Sequence, residues 1–111
     1  MVDYKLHKIE DVTIVELLSD ITSEEAAHFN EILRNIIKND YRLILNMKGV
    51  NLINTPAISV LISIAKEVRE KGGDLKISNV NKNVMTLLHK MQLEKIISVY
   101  DNLLSALGDF K

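Results

Sequence analysis

The chain has 111 residues, 47% hydrophobic and 26% charged, with 14 Lys and Arg against 15 Asp and Glu and a formal net charge of -1. That length gives one domain of ordinary size without room for a second core, and the composition is globular rather than disordered. Balanced charge with no dense Lys/Arg run argues against nucleic acid or an anionic membrane as a partner, and the lack of cysteine excludes disulfides, thiolate metal sites and a Cys nucleophile.

The opening Met1-Val2-Asp3-Tyr4-Lys5 lacks the charged-then-apolar pattern of a signal peptide. The most apolar run, Ala57 to Ala65, is about half a bilayer span. The expectation is a cytoplasmic protein without membrane insertion. Tyr4 to Ile9 and Val12 to Leu17 are alternating, β-branched-rich runs around Glu10-Asp11, and predict a hairpin or two adjacent strands. Thr22 with Glu25 three residues on has the form of a capping box. Ala26, Phe29, Leu33, Ile36 and Ile37 then mark one face of a helix to about Lys38.

Asn39-Asp40 breaks the chain before Leu43-Ile44-Leu45, an uninterrupted apolar run that predicts a central strand buried on both faces. Lys48 to Asn54 reads as a loop. A helix follows from about Pro56 to Lys71, with Ile58, Leu61, Ile62, Ala65 and Val68 inward, and Gly72-Gly73 closes it. Leu75-Lys76-Ile77 is a short strand. Asn81 suits the cap of a helix carrying Val84, Leu87, Leu88 and Met91. A weaker strand over Ile96 to Val99 and a terminal helix from Asn102 to about Phe110, with Leu103, Leu104 and Leu107, complete the pattern. The order β-β-α-β-α-β-α-β-α predicts an α/β fold with a mixed, mostly parallel sheet of about five strands and four helices.

The most informative chemistry lies at Asn54-Thr55-Pro56. Thr55 suits an N-cap and Pro56 the first helical position, so a well-formed helix start accounts for these residues by itself. A regulated hydroxyl is the other reading: a phosphate on Thr55 would meet free N–H groups and the positive end of the helix dipole. It would also place about two negative charges on an exposed loop. The local sequence leaves both open.

The segment from Leu43 to Ile58 resembles the strand–loop–helix signature of the STAS family, typified by bacterial anti-sigma-factor antagonists. In the family the strand ends in Asp-Leu-Ser, and the helix opens on Asp-Ser-Ser/Thr-Gly-Leu. Gly72-Gly73, Leu75-Lys76-Ile77, Val84, Leu87-Leu88, Leu93, Ile96 and Ala106 are similar to the family's C-terminal half, so the likeness covers nearly the whole chain, residues 1–111. The resemblance puts Asn46 at the strand-end Asp, Asn54 at the Asp before the phosphorylated Ser, and Thr55 on that Ser. It implies a non-enzymatic regulator, without cofactor, whose partner is an anti-sigma factor with serine-kinase activity. Phosphorylation releases the antagonist in that scheme, and the implied partner face is Lys48, Asn51, Asn54, Thr55, Pro56 and Ser59. A monomer or weak dimer is expected. Asn54 lacks the family's carboxylate, Pro56 replaces a small polar residue, and Ala57 replaces Gly. Family members also include small subunits that dock on the ATPase of lipid-transport ABC complexes, and stressosome-like scaffolds.

Other groups offer less. His7, His28 and His89 lack ligand-like spacing, and Glu24-Glu25 belongs to a helix start. Gly72-Gly73 follows a helix, the reverse of a phosphate-cradling loop. Met85 and Met91 are expected as core filler. Thr55 has no base near it in sequence to make it a nucleophile.

Overall fold

The computed structural model describes residues 1–110. The strands are β1 (Tyr4–Ile9), β2 (Val12–Leu17), β3 (Arg42–Asn46), β4 (Asp74–Ser78) and β5 (Ser98–Tyr100). The helices are α1 (Ala26–Ile36), α2 (Thr55–Glu70), α3 (Lys82–Lys90) and α4 (Leu103–Gly108), with a 3-10 turn at Leu93–Lys95. The five strands form one sheet in chain order; β1 is antiparallel to β2, and the other pairings are parallel. The expected mixed, mostly parallel α/β sheet is therefore present.

The register explains the layering. Val15, Leu45, Ile77 and Val99 stand side by side, as do Ile14, Ile44 and Lys76 on the opposite face. The first face carries the main core, where Phe29 and Leu33 of α1, Ile58, Leu61 and Ala65 of α2, and Val84 and Leu88 of α3 pack. The second face holds a smaller cluster of Val12, Ile14 and Ile44 with Ala106 of α4. Leu43, Ile44 and Leu45 are fully buried, as an uninterrupted apolar strand between two layers requires.

Local chemistry sets the ends. The Glu25 carboxylate accepts from the Thr22 N–H at 3.2 Å and from the Thr22 hydroxyl. These two bonds hold its pKa below the ordinary value. The Thr22 hydroxyl thus donates to Glu25 instead of capping an N–H, and regular helix begins only at Ala26. After α2, Gly72 adopts φ +85°, its N–H donates to Arg69 O at 3.1 Å, and the Gly73 N–H donates to Val68 O at 2.8 Å. That is the paired-bond stop the two glycines predict. Gly73 has a second reason: a Cβ there would stand 1.7 Å from the Tyr41 carbonyl oxygen.

Several details differ from the sequence reading. Helix α1 ends at Ile36 rather than near Lys38, because Ile37 to Asn39 relax into turn. Ile64 occupies the buried face of α2 where Ile62 was expected, and Ile62 is half-buried. Met91 is exposed and Met85 only partly covered, so neither is core filler. The last strand is Ser98–Tyr100, because Leu93–Lys95 coils into the 3-10 turn. In α4, Leu103 and Leu107 pack against the second cluster as expected, with Ala106 buried between them, but Leu104 is 80% exposed.

Candidate functional site

Strands β2, β3 and β4 end on one edge of the sheet, the carboxyl edge, where sites of parallel α/β folds assemble. The segment from Met47 to Asn54 crosses this edge and enters α2. Three apolar anchors, Met47, Val50 and Ile53, are at most 2% exposed and pin it to the core. Between them Lys48, Asn51 and Leu52 face solvent.

Polar clamps hold the loop from both sides. Asp20 Oδ1 accepts from the Asn51 N–H at 2.8 Å and the Leu52 N–H at 3.0 Å. A parallel bridge joins Ile21 to Ile53: the Ile21 N–H donates to Leu52 O at 3.0 Å, and the Asn54 N–H to Ile21 O at 3.1 Å. On the other side, Asn81 Nδ2 donates to Val50 O at 2.7 Å and Asn51 Oδ1 at 3.0 Å. The Asn81 Oδ1 meanwhile accepts from the Val84 N–H at 2.9 Å, capping α3 as expected. One side chain thus ties the loop to a helix start. Asn46 Oδ1, at the strand end, accepts from the Lys48 N–H at 3.1 Å. Gly49 lies against the end of β2, where a Cβ would meet Leu17 O at 2.7 Å and Leu18 Cα at 2.9 Å.

The start of α2 departs from expectation. The N-cap is Asn54, with φ -107° and ψ 163°, and Thr55 is the first helical residue rather than the cap. No side-chain hydrogen bond caps the helix. The supposed row of free N–H groups is also reduced. Pro56 has none, and the Ala57 N–H donates to Asn54 O at 3.0 Å, leaving Thr55 as the unbonded donor of the first turn. An anion on this turn meets the dipole and one open N–H rather than a cradle.

Thr55, Pro56 and Ser59 are exposed, while Ala57 and Ile58 behind them are fully buried. The Ser59 hydroxyl donates back to Thr55 O at 3.4 Å. The Thr55 hydroxyl therefore projects from a platform fixed at Ile53 and Ile58. Lys48, Asn51, Asn54, Thr55, Pro56 and Ser59 belong to one surface, the loop and first turn of α2. Asp20 and the clamping role of Asn81 were not foreseen. Asp20 follows a strand in a Ser-Asp turn, but its bonds reach 31 and 32 residues along the chain.

The histidines stay apart from this surface. His7 lies 3.8 Å from Glu16, His28 Nδ1 accepts from the Val2 N–H at 3.1 Å, and His89 lies 3.1 Å from Glu94. Among the described residues no group of three or more His, Cys, Asp or Glu side chains is placed to hold a metal ion.

A family model for the STAS domain matches residues 3–106, taking in the loop, its clamps, every strand and all helices but the last residues of α4. The chain belongs to the STAS domain family. A curated relative of this STAS domain, an anti-sigma F factor antagonist of Paenibacillus polymyxa, is 29% identical over 69 residues. That alignment covers 62% of this chain and 59% of the relative's length. A Thermotoga neapolitana protein, provisionally named an anti-sigma factor antagonist, is 27% identical over 98% of this chain and 96% of its own. Among solved structures, a provisionally named antagonist from Thermotoga maritima superposes with TM-score 0.91 at 21% identity, covering 96% of this chain and 93% of its own. The Bacillus cell-fate determinant SpoIIAA, solved in its phosphorylated form, has the same fold with TM-score 0.72 at 8% identity, covering 98% of this chain and 100% of its own. No helix among the described residues is long and apolar enough to cross a membrane.

Proposed function

We propose that this STAS domain is an anti-sigma-factor antagonist that binds a kinase-type anti-sigma factor through the Lys48 to Asn54 loop and the first turn of α2. Thr55 is the phosphorylation switch of this reading. The observation that carries it is the exposed Thr55 at the start of α2, beside a loop clamped by Asp20 and Asn81; the resemblance of Leu43 to Ile58 to the family's signature is what assigns it the acceptor role. The curated relatives bear antagonist names, which favours this reading over a subunit of a lipid-transport ABC complex or a stressosome-like scaffold.

The chemistry of such a switch follows from the site. Fixed loop amides and a fixed helix start lower the ordering cost of docking, because little conformational freedom remains to be lost. The exposed hydroxyl is open to an incoming phosphoryl donor. Once attached, a phosphate brings about two negative charges that a single open N–H leaves largely uncompensated. The charge then remains at the interface and opposes any partner shaped for a neutral hydroxyl. Asn54 supplies hydrogen-bonding groups where the family has a carboxylate, so it adds no further negative charge beside the acceptor.

The test is a binding measurement with the purified anti-sigma factor. Thr55→Glu should weaken binding at least about tenfold, whereas Thr55→Ala should retain it. Equal affinity for the wild type and Thr55→Glu would remove the switch.

A further inference from the structure

Asn81 links the loop to α3, and the outer face of α3 forms a groove that neither the fold nor the Thr55 switch uses. The groove is about 610 Å³, with Val80 and Met85 as its apolar floor and Lys82, Thr86, His89 and Lys90 around it. Met85 is unbranched and adaptable, a side chain suited to a contact surface. Its partial exposure is therefore more than a packing accident.

Charge tells what fits here. The chain has 15 Asp and Glu, yet residues 41–66 and residues 75–93 contain none. Those two stretches supply the loop, most of α2 and all of α3. Ion pairs join Lys8 to Asp40, Arg34 to Glu67, Arg42 to Asp11, and both Arg69 and Lys76 to Asp74. Among the described residues no ion pair reaches Lys48, Lys82 or Lys90. Among the described residues none lining the groove is acidic, and Glu94, beyond the helix, lies 3.1 Å from His89. Three or four dispersed cations are too few for a phosphate backbone. Around an apolar floor, they suit carboxylates flanking an apolar side chain.

We propose that the α3 groove is the second half of the partner-binding surface and takes an acidic, apolar-centred segment of the partner. The inference rests on the reading of the loop and Thr55 as the partner face. It adds a separate determinant, continuous with that face through the Asn81 bonds to Val50 and Asn51. The loop and Thr55 decide when binding occurs; the groove decides which partner binds.

The first probe is a synthetic helical peptide with leucines flanked by glutamates, titrated into the full isotope-labelled chain and followed by amide shifts. Shifts should cluster on residues 80–90, saturate, and weaken from about 50 mM to about 500 mM salt. They should vanish in the Lys82→Glu/Lys90→Glu variant and with a peptide in which alanine replaces leucine. Equal shifts from a lysine-flanked peptide, or shifts scattered away from α3, would overturn the groove. Both lysines are exposed, and an unchanged thermal midpoint verifies that the variant is folded. The second probe is the anti-sigma factor, whose affinity should fall about tenfold in the double variant. A factor that binds the double variant normally but rejects Thr55→Glu overturns the groove and leaves the switch intact. A factor indifferent to Thr55→Glu but lost with the double variant does the reverse.

Discussion

Replacing Asp20 by alanine tests whether the loop is held by the clamp or merely packs beside it. Asp20 Oδ1 accepts two backbone N–H bonds, from Asn51 at 2.8 Å and Leu52 at 3.0 Å. A hydrogen bond to a charged group contributes about 1.5–3 kcal/mol, and partial exposure of this carboxylate lowers that value. Loss of both bonds should then cost about 2 kcal/mol, or about 8 °C in thermal midpoint for a domain of this size. Asp20→Asn retains a carbonyl oxygen able to accept both bonds but loses the charge, so it should cost about half as much. Urea unfolding gives the energies, and hydrogen exchange at the Asn51 and Leu52 amides gives the location. Protection at those two amides should drop in Asp20→Ala well beyond the global loss. If their protection and the midpoint both stay at wild-type values, the clamp argument is wrong.

Other substitutions probe separate parts of the account. Gly49→Ala should cost about 1–3 kcal/mol in urea unfolding, because its Cβ meets the Leu17 carbonyl and Leu18 Cα rather than a movable side chain. Asn81→Asp should retain the α3 cap but lose the bonds to Val50 O and Asn51 Oδ1, so loop amide shifts should move more than those of α3. Asp74 gives a pH prediction. Burial opposes its ionisation, but Arg69, the Leu75 N–H and Lys76 outweigh that and hold its pKa below the ordinary 3.8. Its contribution is fully present above about 3.8 and is lost as pH falls through the folded-state value. Asp74→Asn should therefore flatten the fall in stability below pH ~3.8, as followed by urea midpoints.

The sheet was legible because its strands carry their own signals. Tyr4–Ile9 and Val12–Leu17 flank a tight turn, although β1 is exposed throughout and β2 buried at five of its six positions, and Leu43-Ile44-Leu45 lacks polar residues because both faces are covered. Gly72-Gly73 marked a helix stop because left-handed backbone is a local property. What sequence could not supply was long-range. Lys76 is 6% exposed in β4, its ammonium 4.9 Å from the Phe110 ring centre, 5.5 Å from that of Tyr100 and 3.3 Å from the Asp74 carboxylate. Nothing near position 76 announces that arrangement. Leu104 shows the converse: helical spacing marked it as inward, but α4 is six residues long and covers the sheet through Ala106.

The site followed the same division. Thr55 and the loop could be singled out from their own residues, whereas the cap proved to be Asn54 because the Ile21–Ile53 bridge fixes Asn54 in extended backbone just before the helix. Asp20 and Asn81 act across about thirty residues of chain, beyond the reach of local pattern. The acid-free stretches were present in the sequence throughout. They gained meaning only when α3 and the loop were seen to be joined through one asparagine.

The most direct test of the central claim is phosphoryl transfer coupled to release. The wild-type chain and Thr55→Val are each bound to the purified anti-sigma factor and given ATP, with intact mass and complex size followed together. The account predicts one phosphoryl group on Thr55 of the wild type, loss of its complex, and an unmodified Thr55→Val chain that stays bound. A complex that persists after Thr55 is phosphorylated, or a Thr55→Val chain released equally by ATP, would contradict it.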